Sequence, residues 1–385
     1  HYLVMREQRS DLWYVRASEN VARYGLGVVL EGFQCQVFLD IAEIQDDSLG
    51  TYSTLHDRLG GSGVADLSAA LQDIAHEELY AAWNRAFGPG YFSAITSLPT
   101  GSVAQEAQEK HDSASLAFAS LASAYITDLS FGNSGESMQE AKAQAAGITA
   151  SRVRFALFAL YSGLKEGKEG KAKRDASALR ASELWHSMQI VPLASYALFA
   201  FASMVCLKDL AGPENAGLGA KLLAERWCLD RKLKEAMQVC GLPGDQAHQA
   251  VSIAKAAIAR ADDKQFAKGK RLSAALASLG SDEDLARLVN LHKWEGVTWV
   301  NAERFEAAAL SAVLCGSLSA LLARKKITAL AVEQSLASAC ALYRRIIGAA
   351  ERSGWNWDRM LLALQEEDES SIHNSQRLGE DGKRL

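Results

Sequence analysis

Several short motifs resemble sites of known chemistry, and each lacks a residue that the chemistry requires. His76-Glu77-Glu78-Leu79-Tyr80 has tyrosine where a zinc-binding helix needs a second histidine. Gly25-Leu26-Gly27 is followed by Leu30 in place of the third glycine of a dinucleotide-binding loop. Gly167-Lys168 lacks the upstream glycine and the following Ser or Thr of a phosphate-binding loop. The sequence therefore predicts no catalytic residue, no metal ligand and no cofactor-binding residue, and it leaves enzymatic activity undecided.

The other ionisable residues are scattered along the chain. The six cysteines contain no Cys-x-x-Cys pair, which is typical of isolated thiols in a core rather than of a zinc site or a disulfide framework. The eight histidines and 46 acidic residues show no spacing that marks an acid–base couple. A chain with free thiols and no disulfide framework is expected in a reducing cytoplasm.

One stretch stands out as a candidate binding site. Residues 291–306 carry Trp294 and Trp299 around the short β-like run 297–300, in a region that is otherwise helical. Aromatic faces beside a polar group such as Glu295 suit a sugar ring or a partner chain. The alternative, which we favour, is that both tryptophans fill the junction between helices, as large aromatic side chains commonly do. The candidate contact residues are Trp294, Glu295 and Trp299.

The composition of the 385-residue chain predicts a helical globular protein. Alanine, which has the highest helix propensity, occurs 65 times, whereas proline occurs only five times. Hydrophobic residues make up 49% and charged residues 23%, as in ordinary globular folds. Because 41 basic residues are outnumbered by 46 acidic ones, no overall positive field attracts a phosphate backbone. Nucleic acid is therefore not an expected partner.

The first 47 residues differ from the rest of the chain. Short apolar or alternating runs at 2–5, 12–15 and 28–39 are separated by turn-like segments and predict three or four strands. So few strands are not stable alone. We therefore expect residues 1–47 to be the end of a β-sandwich whose other strands lie upstream of residue 1.

From residue 48 to residue 365 the apolar spacing becomes that of helices and predicts one large, bundle-like, all-helical domain. Asp66 and Asn301 are predicted N-caps, and Ser281–Asp284 is a predicted capping box. Residues 366–385 are polar and are predicted to form a flexible tail. The expected fold class is mainly α, with a small antiparallel β segment in front of the helical domain.

One uncharged run raises the question of a membrane. Leu184–Leu207 is long enough to cross a bilayer. Pro192, which is expected to break the helix, and three serines lower its hydrophobicity, so we favour a central helix buried by its neighbours. The uncharged run Ala308–Ala323 is too short to span and is the expected packing partner. We therefore expect no contact with a membrane.

Two parts of the chain resemble a known family. Val28–Asp40, with the sequence VVLEGFQCQVFLD, resembles the closing strands of the β-sandwich that follows the catalytic barrel in α-amylase-family glycoside hydrolases. The helical part is similar to the long C-terminal extension of some large bacterial proteins of that family. This second likeness is carried by Gly63–Leu71, Leu222–Leu229 and Glu295–Glu306.

The resemblance implies a role without catalysis in this chain. It implies a C-terminal accessory region of an α-glucan-active enzyme, with an upstream catalytic domain of the same polypeptide and an α-glucan as partners. The family's barrel uses an aspartate nucleophile, a glutamate acid and a His-Asp pair, and none of these transfers. His56-Asp57 and His111-Asp112 lie outside any alternation of strands and helices that a barrel requires. The alternative is a helical scaffold or protein-interaction module unrelated to carbohydrate.

Overall fold

The computed structural model describes residues 1–96, 113–122, 125, 136–169, 176–211, 215–261 and 272–381. These residues are mainly α-helical, with one three-stranded antiparallel sheet and one two-stranded hairpin. The chain divides into two compact units, His1–Ala81 and Ala82–Leu385. The mainly α fold class predicted from the composition is confirmed.

The N-terminal unit combines a small sheet with short helices. Its strands are β1 (Tyr2–Glu7), β2 (Trp13–Ala17) and β3 (Phe38–Ile44), in the antiparallel order β2-β1-β3. Its helices are α1 (Ser18–Tyr24), α2 (Thr51–Leu59) and α3 (Leu67–Ala75). The central strand β1 pairs Val4 with Val15 on one side and with Ala42 on the other, so β2 and β3 are edge strands.

Helices α2 and α3 give this sheet its core. Val4, Val15 and Leu55 are buried at the centre, and apolar side chains of both helices pack around them. The β segment predicted for residues 1–47 therefore belongs to a larger unit that ends at Ala81. The physical reason is that α2 and α3 supply the apolar surface that three strands alone lack.

The second unit is built from helices and one hairpin. Its helices are α4 (Glu77–Phe87, which begins in the first unit), α5 (Pro89–Thr96), α6 (Ser113–Ala122), α7 (Glu136–Glu169), α8 (Ala176–Ile190), α9 (Pro192–Val205), α10 (Leu207–Ala211), α11 (Ala216–Arg226), α12 (Leu229–Val239), α13 (Gly244–Ala259), α14 (Leu272–Gly280), α15 (Glu283–Leu288), α16 (Ala302–Leu322), α17 (Ala329–Arg352) and α18 (Trp357–Asp381). Strands β4 (His292–Trp294) and β5 (Val297–Trp299) form the hairpin between α15 and α16.

Helix α9 lies at the centre of the second unit. It packs against α13 and α16, and eleven of its residues are buried. The ring of Phe199 contacts Tyr161 and Phe92, with centroid distances of 5.4 and 5.3 Å. Pro192 stands in the first turn of α9, where its missing N–H costs no helical hydrogen bond. The helix break expected at Pro192 is therefore present.

Two stretches of the described chain are long and apolar enough to cross a membrane. Pro192–Ala211 has a mean hydropathy of 1.5 and Ala302–Leu322 one of 1.7. Of their most apolar windows, 78% and 61% of the residues are buried inside the protein. The second stretch is longer than the uncharged run 308–323 suggested, because α16 begins at Ala302.

Helix caps follow the predicted positions with one shift. Asp66 accepts a hydrogen bond from the N–H of Ala69 at 2.9 Å, and Asn301 accepts one from Arg304 at 3.0 Å. In the predicted capping box the cap is Asp282, not Ser281, and it accepts from the N–H of Leu285 at 3.3 Å. The carboxylate of Asp282 is also held by Arg260, at 3.2 Å.

The polar C-terminal segment is helical as far as Asp381, where the sequence predicted a flexible tail from residue 366; residues 382–385 lie outside the described part. Arg345 contacts Glu367 at 3.1 Å and Asp368 at 2.9 Å. Ser273 donates to the same Asp368 carboxylate through its N–H, at 3.1 Å. These contacts hold the polar helix against α17 and α14.

Candidate functional site

The hairpin carries the three candidate contact residues. Its register pairs His292 with Trp299 and Trp294 with Val297. The two-residue turn has positive φ at both positions, 50° at Glu295 and 79° at Gly296. Such turns match the right-handed twist of the strands they join, and glycine favours this conformation. The Glu-Gly dipeptide is thus the local reason for a tight hairpin here.

The base of the hairpin is fixed to the surrounding helices. Trp299 forms a β-bridge with Asn356, just before α18. The N–H of Val300 donates to the carbonyl of Trp355 at 3.1 Å, and the N–H of Asn301 donates to Val289 at 3.1 Å. The hairpin is therefore tied to both the α15 end and the α17–α18 connection.

The two tryptophans differ in their surroundings. Paired residues and residues two apart point to the same face of a hairpin, so Trp294 and Trp299 share one face. Trp294 is 61% exposed. Trp299 is half-buried, and its indole N–H is buried without a hydrogen-bond partner among the described residues. Filling of a helix junction, the interpretation we favoured for both, fits Trp299 and does not fit Trp294.

Polar groups surround the exposed indole. Glu295 is exposed in the turn next to Trp294, and His292 shares the face of Trp294. The His292 Nδ1 atom lies 2.9 Å from the carbonyl oxygen of Asn290, which orients the ring. Lys293 is exposed on the opposite face. An aromatic face flanked by a carboxylate and an imidazole can stack on a ring and bond its hydroxyl groups.

A second exposed feature lies in the N-terminal unit. Eight large apolar side chains within residues 26–41 are exposed, and we call this stretch the N-terminal apolar segment: Leu26, Val28, Val29, Leu30, Phe33, Val37, Leu39 and Ile41. Val29 is 93% exposed. The strand predicted from residue 28 begins only at Phe38, and residues 25–37 form no regular element. Only β1 pairs with β3, so the preceding residues have no neighbouring strand to extend against in the described part.

The sequence analysis also considered two His-Asp pairs and the cysteines. His56 Nδ1 is 3.0 Å from Asp57 Oδ1 at the end of α2, and His111-Asp112 lies outside the described residues. None of the six cysteines forms a disulfide, and three of them, Cys206, Cys315 and Cys340, are buried. Burial raises the pKa of Cys206 to about 12, so this thiol stays protonated at neutral pH.

No group of three or more His, Cys, Asp or Glu side chains in the described part of the chain is arranged to hold a metal ion. The hairpin instead offers one exposed aromatic face with polar neighbours. That arrangement suits non-covalent binding. Comparison of the chain with protein-family models, curated proteins and solved structures finds no significant match.

Proposed function

We propose that this chain is the non-catalytic accessory region of an α-glucan-active enzyme of the α-amylase family. In this proposal the N-terminal apolar segment packs against the catalytic domain of the same polypeptide, and Trp294 contacts α-glucan. The exposed apolar segment is the observation that carries the proposal, because it coincides with the stretch Val28–Asp40 that resembles the closing strands of the family's β-sandwich.

The exposed apolar side chains of this segment favour an interaction that would bury them. Single exposed apolar residues are normal on protein surfaces, whereas a cluster marks an interaction site. Eight such residues within sixteen positions form a cluster in the sequence. In a β-sandwich the residues of a closing strand are buried on one face by the opposite sheet. A catalytic domain that supplies this cover would bury residues such as Val29 and Phe33.

The exposed indole supports the second half of the proposal. The faces of glucose rings carry C–H groups that stack on aromatic rings, while their edges carry hydroxyl groups that need hydrogen-bond partners. Trp294 supplies the aromatic face, and Glu295 and His292 supply acceptors and donors beside it. Because the hairpin base is fixed by Trp299 and Val300, the platform is held in place before a glucan binds.

Affinity electrophoresis tests the glucan contact. Migration of the wild-type chain in a native gel should be retarded by amylopectin, and Trp294→Ala should migrate as it does without the polysaccharide. Leu330→Ala is the matched control, because Leu330 is equally exposed, at 62%, on α17. Equal retardation of the wild type and Trp294→Ala would contradict the glucan contact at Trp294. The purified chain is expected to hydrolyse none of the α-glucan that it binds.

The cover of the N-terminal apolar segment is tested separately. The reading frame upstream of His1 should encode a (β/α)₈ barrel, and a start codon close to His1 would contradict the proposal. Where the barrel is present, Phe33→Ser in the full polypeptide should loosen the barrel from this unit, measured as faster proteolysis between the two. Leu330→Ser serves as the control for an exposed apolar residue elsewhere.

The alternative is a helical scaffold unrelated to carbohydrate. The same exposed segment favours it, because a partner protein of any kind could cover apolar side chains. The two candidates differ at Trp294, since a scaffold has no reason to retain amylopectin. Absence of retardation, together with an upstream sequence that encodes no barrel, would support the scaffold.

A further inference from the structure

An apolar cavity of about 140 Å³ lies inside the second unit, away from the hairpin tip. It is bounded by α13, α14, α15 and α16, with one residue each from α9, α17 and α18. The larger side chains on its walls include Phe201, Phe305, Trp357, Ile253 and Leu288. Nearly all atoms that face this space are carbon.

Small residues on α16 create the space. Ala308, Ala312 and Gly316 line the cavity and are spaced four residues apart, so they lie on one face of the helix. A Cβ atom added at Gly316 would meet no other atom within 4 Å. The cavity is not fully enclosed by the helices, so it can be reached from outside.

The cavity offers no free charge to a ligand. Arg260 is the charged side chain among its lining residues, and its guanidinium lies 3.2 Å from the carboxylate of Asp282. That carboxylate also caps α15, so the pair is held in place. An anionic ligand would have to compete with Asp282 for Arg260. A hydroxyl-rich ligand such as a sugar would leave its polar groups unpaired against carbon walls, which is costly.

We propose that this cavity is a binding site for a small uncharged apolar molecule of the size of a single aromatic ring. A cavity of about 150 Å³ lined by Leu, Ile and Phe in another protein stays dry and binds benzene, which sets the scale. The rings of Phe201, Phe305 and Trp357 offer faces and edges for a bound ring. The proposal is independent of the glucan contact, because the hairpin residues do not line this cavity.

Toluene is the probe that tests the site, with binding to the full chain measured by saturation-transfer NMR. Gly316→Leu should fill the cavity and weaken toluene binding about tenfold or more, a loss of roughly 1.4 kcal/mol or more. Gly316→Ala, which adds one methyl group, should weaken it less. Gly348→Ala is the control for a glycine-to-alanine change within a long helix, since Gly348 does not line the cavity.

Two further measurements make the outcome decisive. Sodium octanoate and maltoheptaose should not displace toluene, and Trp294→Ala should bind toluene as the wild type does. Undiminished binding to Gly316→Leu, with a native circular dichroism spectrum, would overturn the proposal. If Gly316→Leu fails to fold, the Gly316→Ala variant decides: binding equal to that of the wild type and Gly348→Ala would also overturn it.

Discussion

Helix α9 and the N-terminal apolar segment are both apolar stretches of the chain, and they have opposite surroundings. Eleven residues of α9 are buried between α13, α16 and other helices. In the N-terminal apolar segment the side chains of Val29 and Phe33 point into solvent. An apolar run in the sequence therefore predicts that the segment favours burial. Whether the segment is buried depends on how many other helices or strands pack against it.

The difference in neighbours has a simple structural origin. Helix α9 satisfies its own backbone hydrogen bonds, so its whole circumference is free to pack against other helices. A strand needs a partner for its backbone as well as for its side chains. Strand β3 has only β1, and residues 25–37 pair with no strand in the described part of the chain.

The largest expected effect concerns whether the two long apolar stretches lie in a protein core or in a membrane. Because most of the apolar windows in Pro192–Ala211 and Ala302–Leu322 are buried by other helices, we expect the expressed chain in the supernatant after lysis and ultracentrifugation without detergent. Recovery of the chain only with detergent, together with protection of Pro192–Ala211 from protease in membranes, would contradict the burial of α9 by other helices.

Removing the ring at the centre of α9 should cause the largest loss of stability. Phe199 is fully buried and contacts Tyr161 and Phe92, so Phe199→Ala is expected to lower the free energy of unfolding by about 3–5 kcal/mol through the cavity left behind. Urea denaturation followed by far-ultraviolet circular dichroism measures the change. A loss below about 1 kcal/mol would show that α9 is not the tightly packed centre.

The hairpin also carries one more buried and one exposed apolar side chain, Trp299 and Trp294. Trp299→Ala should cost about 2 kcal/mol, less than a fully buried tryptophan, because Trp299 is only half-buried. Trp294→Ala should change the free energy of unfolding by less than about 0.5 kcal/mol. Denaturant titration of both variants gives the values, and Trp299→Phe preserves most of the packing. Equal losses of stability in Trp299→Ala and Trp294→Ala would contradict the conclusion that Trp299 packs at a helix junction and Trp294 does not.

Acid should weaken the N-terminal unit at the start of α2. Burial would raise the pKa of Asp46, but the N–H groups of Tyr52 at 2.8 Å and Ser53 at 3.1 Å lower it below its usual value of 3.8. A lowered folded-state pKa means that the stabilisation is complete above pH 3.8 and is lost as the pH falls through the lowered pKa.

Substitution of Asp46 isolates this contribution. Asp46→Ala should cost about 1 kcal/mol at pH 7, as loss of a helix cap does, and the difference from the wild type should vanish in strong acid. Hydrogen exchange of residues 51–59, measured by mass spectrometry, reports on α2 alone. Exchange that is unchanged by the substitution at pH 7 would show that the carboxylate does not hold the helix start.

The smallest effect on stability is expected in the N-terminal apolar segment. Phe33→Ala in the isolated chain should alter the free energy of unfolding by less than about 0.5 kcal/mol, because the Phe33 ring is fully exposed. Urea denaturation alongside Phe199→Ala measures both changes under identical conditions. A loss comparable with that of Phe199→Ala would mean that the N-terminal apolar segment is covered within this chain.

Local signals in the sequence predicted local structure well. The caps at Asp66 and Asn301 depend only on residues up to three positions away, and both form as expected. The break at Pro192 is equally local, because proline itself lacks the N–H and fixes φ. Predictions that required distant partners were less accurate. The strand expected from residue 28 is absent before Phe38. The segment after residue 366 is helical to Asp381, and its first residues, Glu367 and Asp368, contact Arg345.

In the candidate site, too, contacts with distant residues could not be predicted from the sequence. Trp294 and Trp299 are the same residue type in the same short stretch, and no spacing rule distinguishes them. Their difference follows from the bridge between Trp299 and Asn356, a residue far along the chain. The cavity likewise left only a weak signal, small residues four apart on α16, because similar spacing serves ordinary close packing of helices.

Composition and short-range pattern were enough to predict a mainly helical protein, the caps at Asp66 and Asn301 and the helix break at Pro192. These depend on intrinsic propensity and on hydrogen bonds between near neighbours. Tertiary packing decided that α9 is enclosed, that Trp294 and the N-terminal apolar segment are exposed, and that a cavity remains beside Gly316. Burial depends on which distant elements meet, since the same apolar side chain gains nothing until a partner removes it from water.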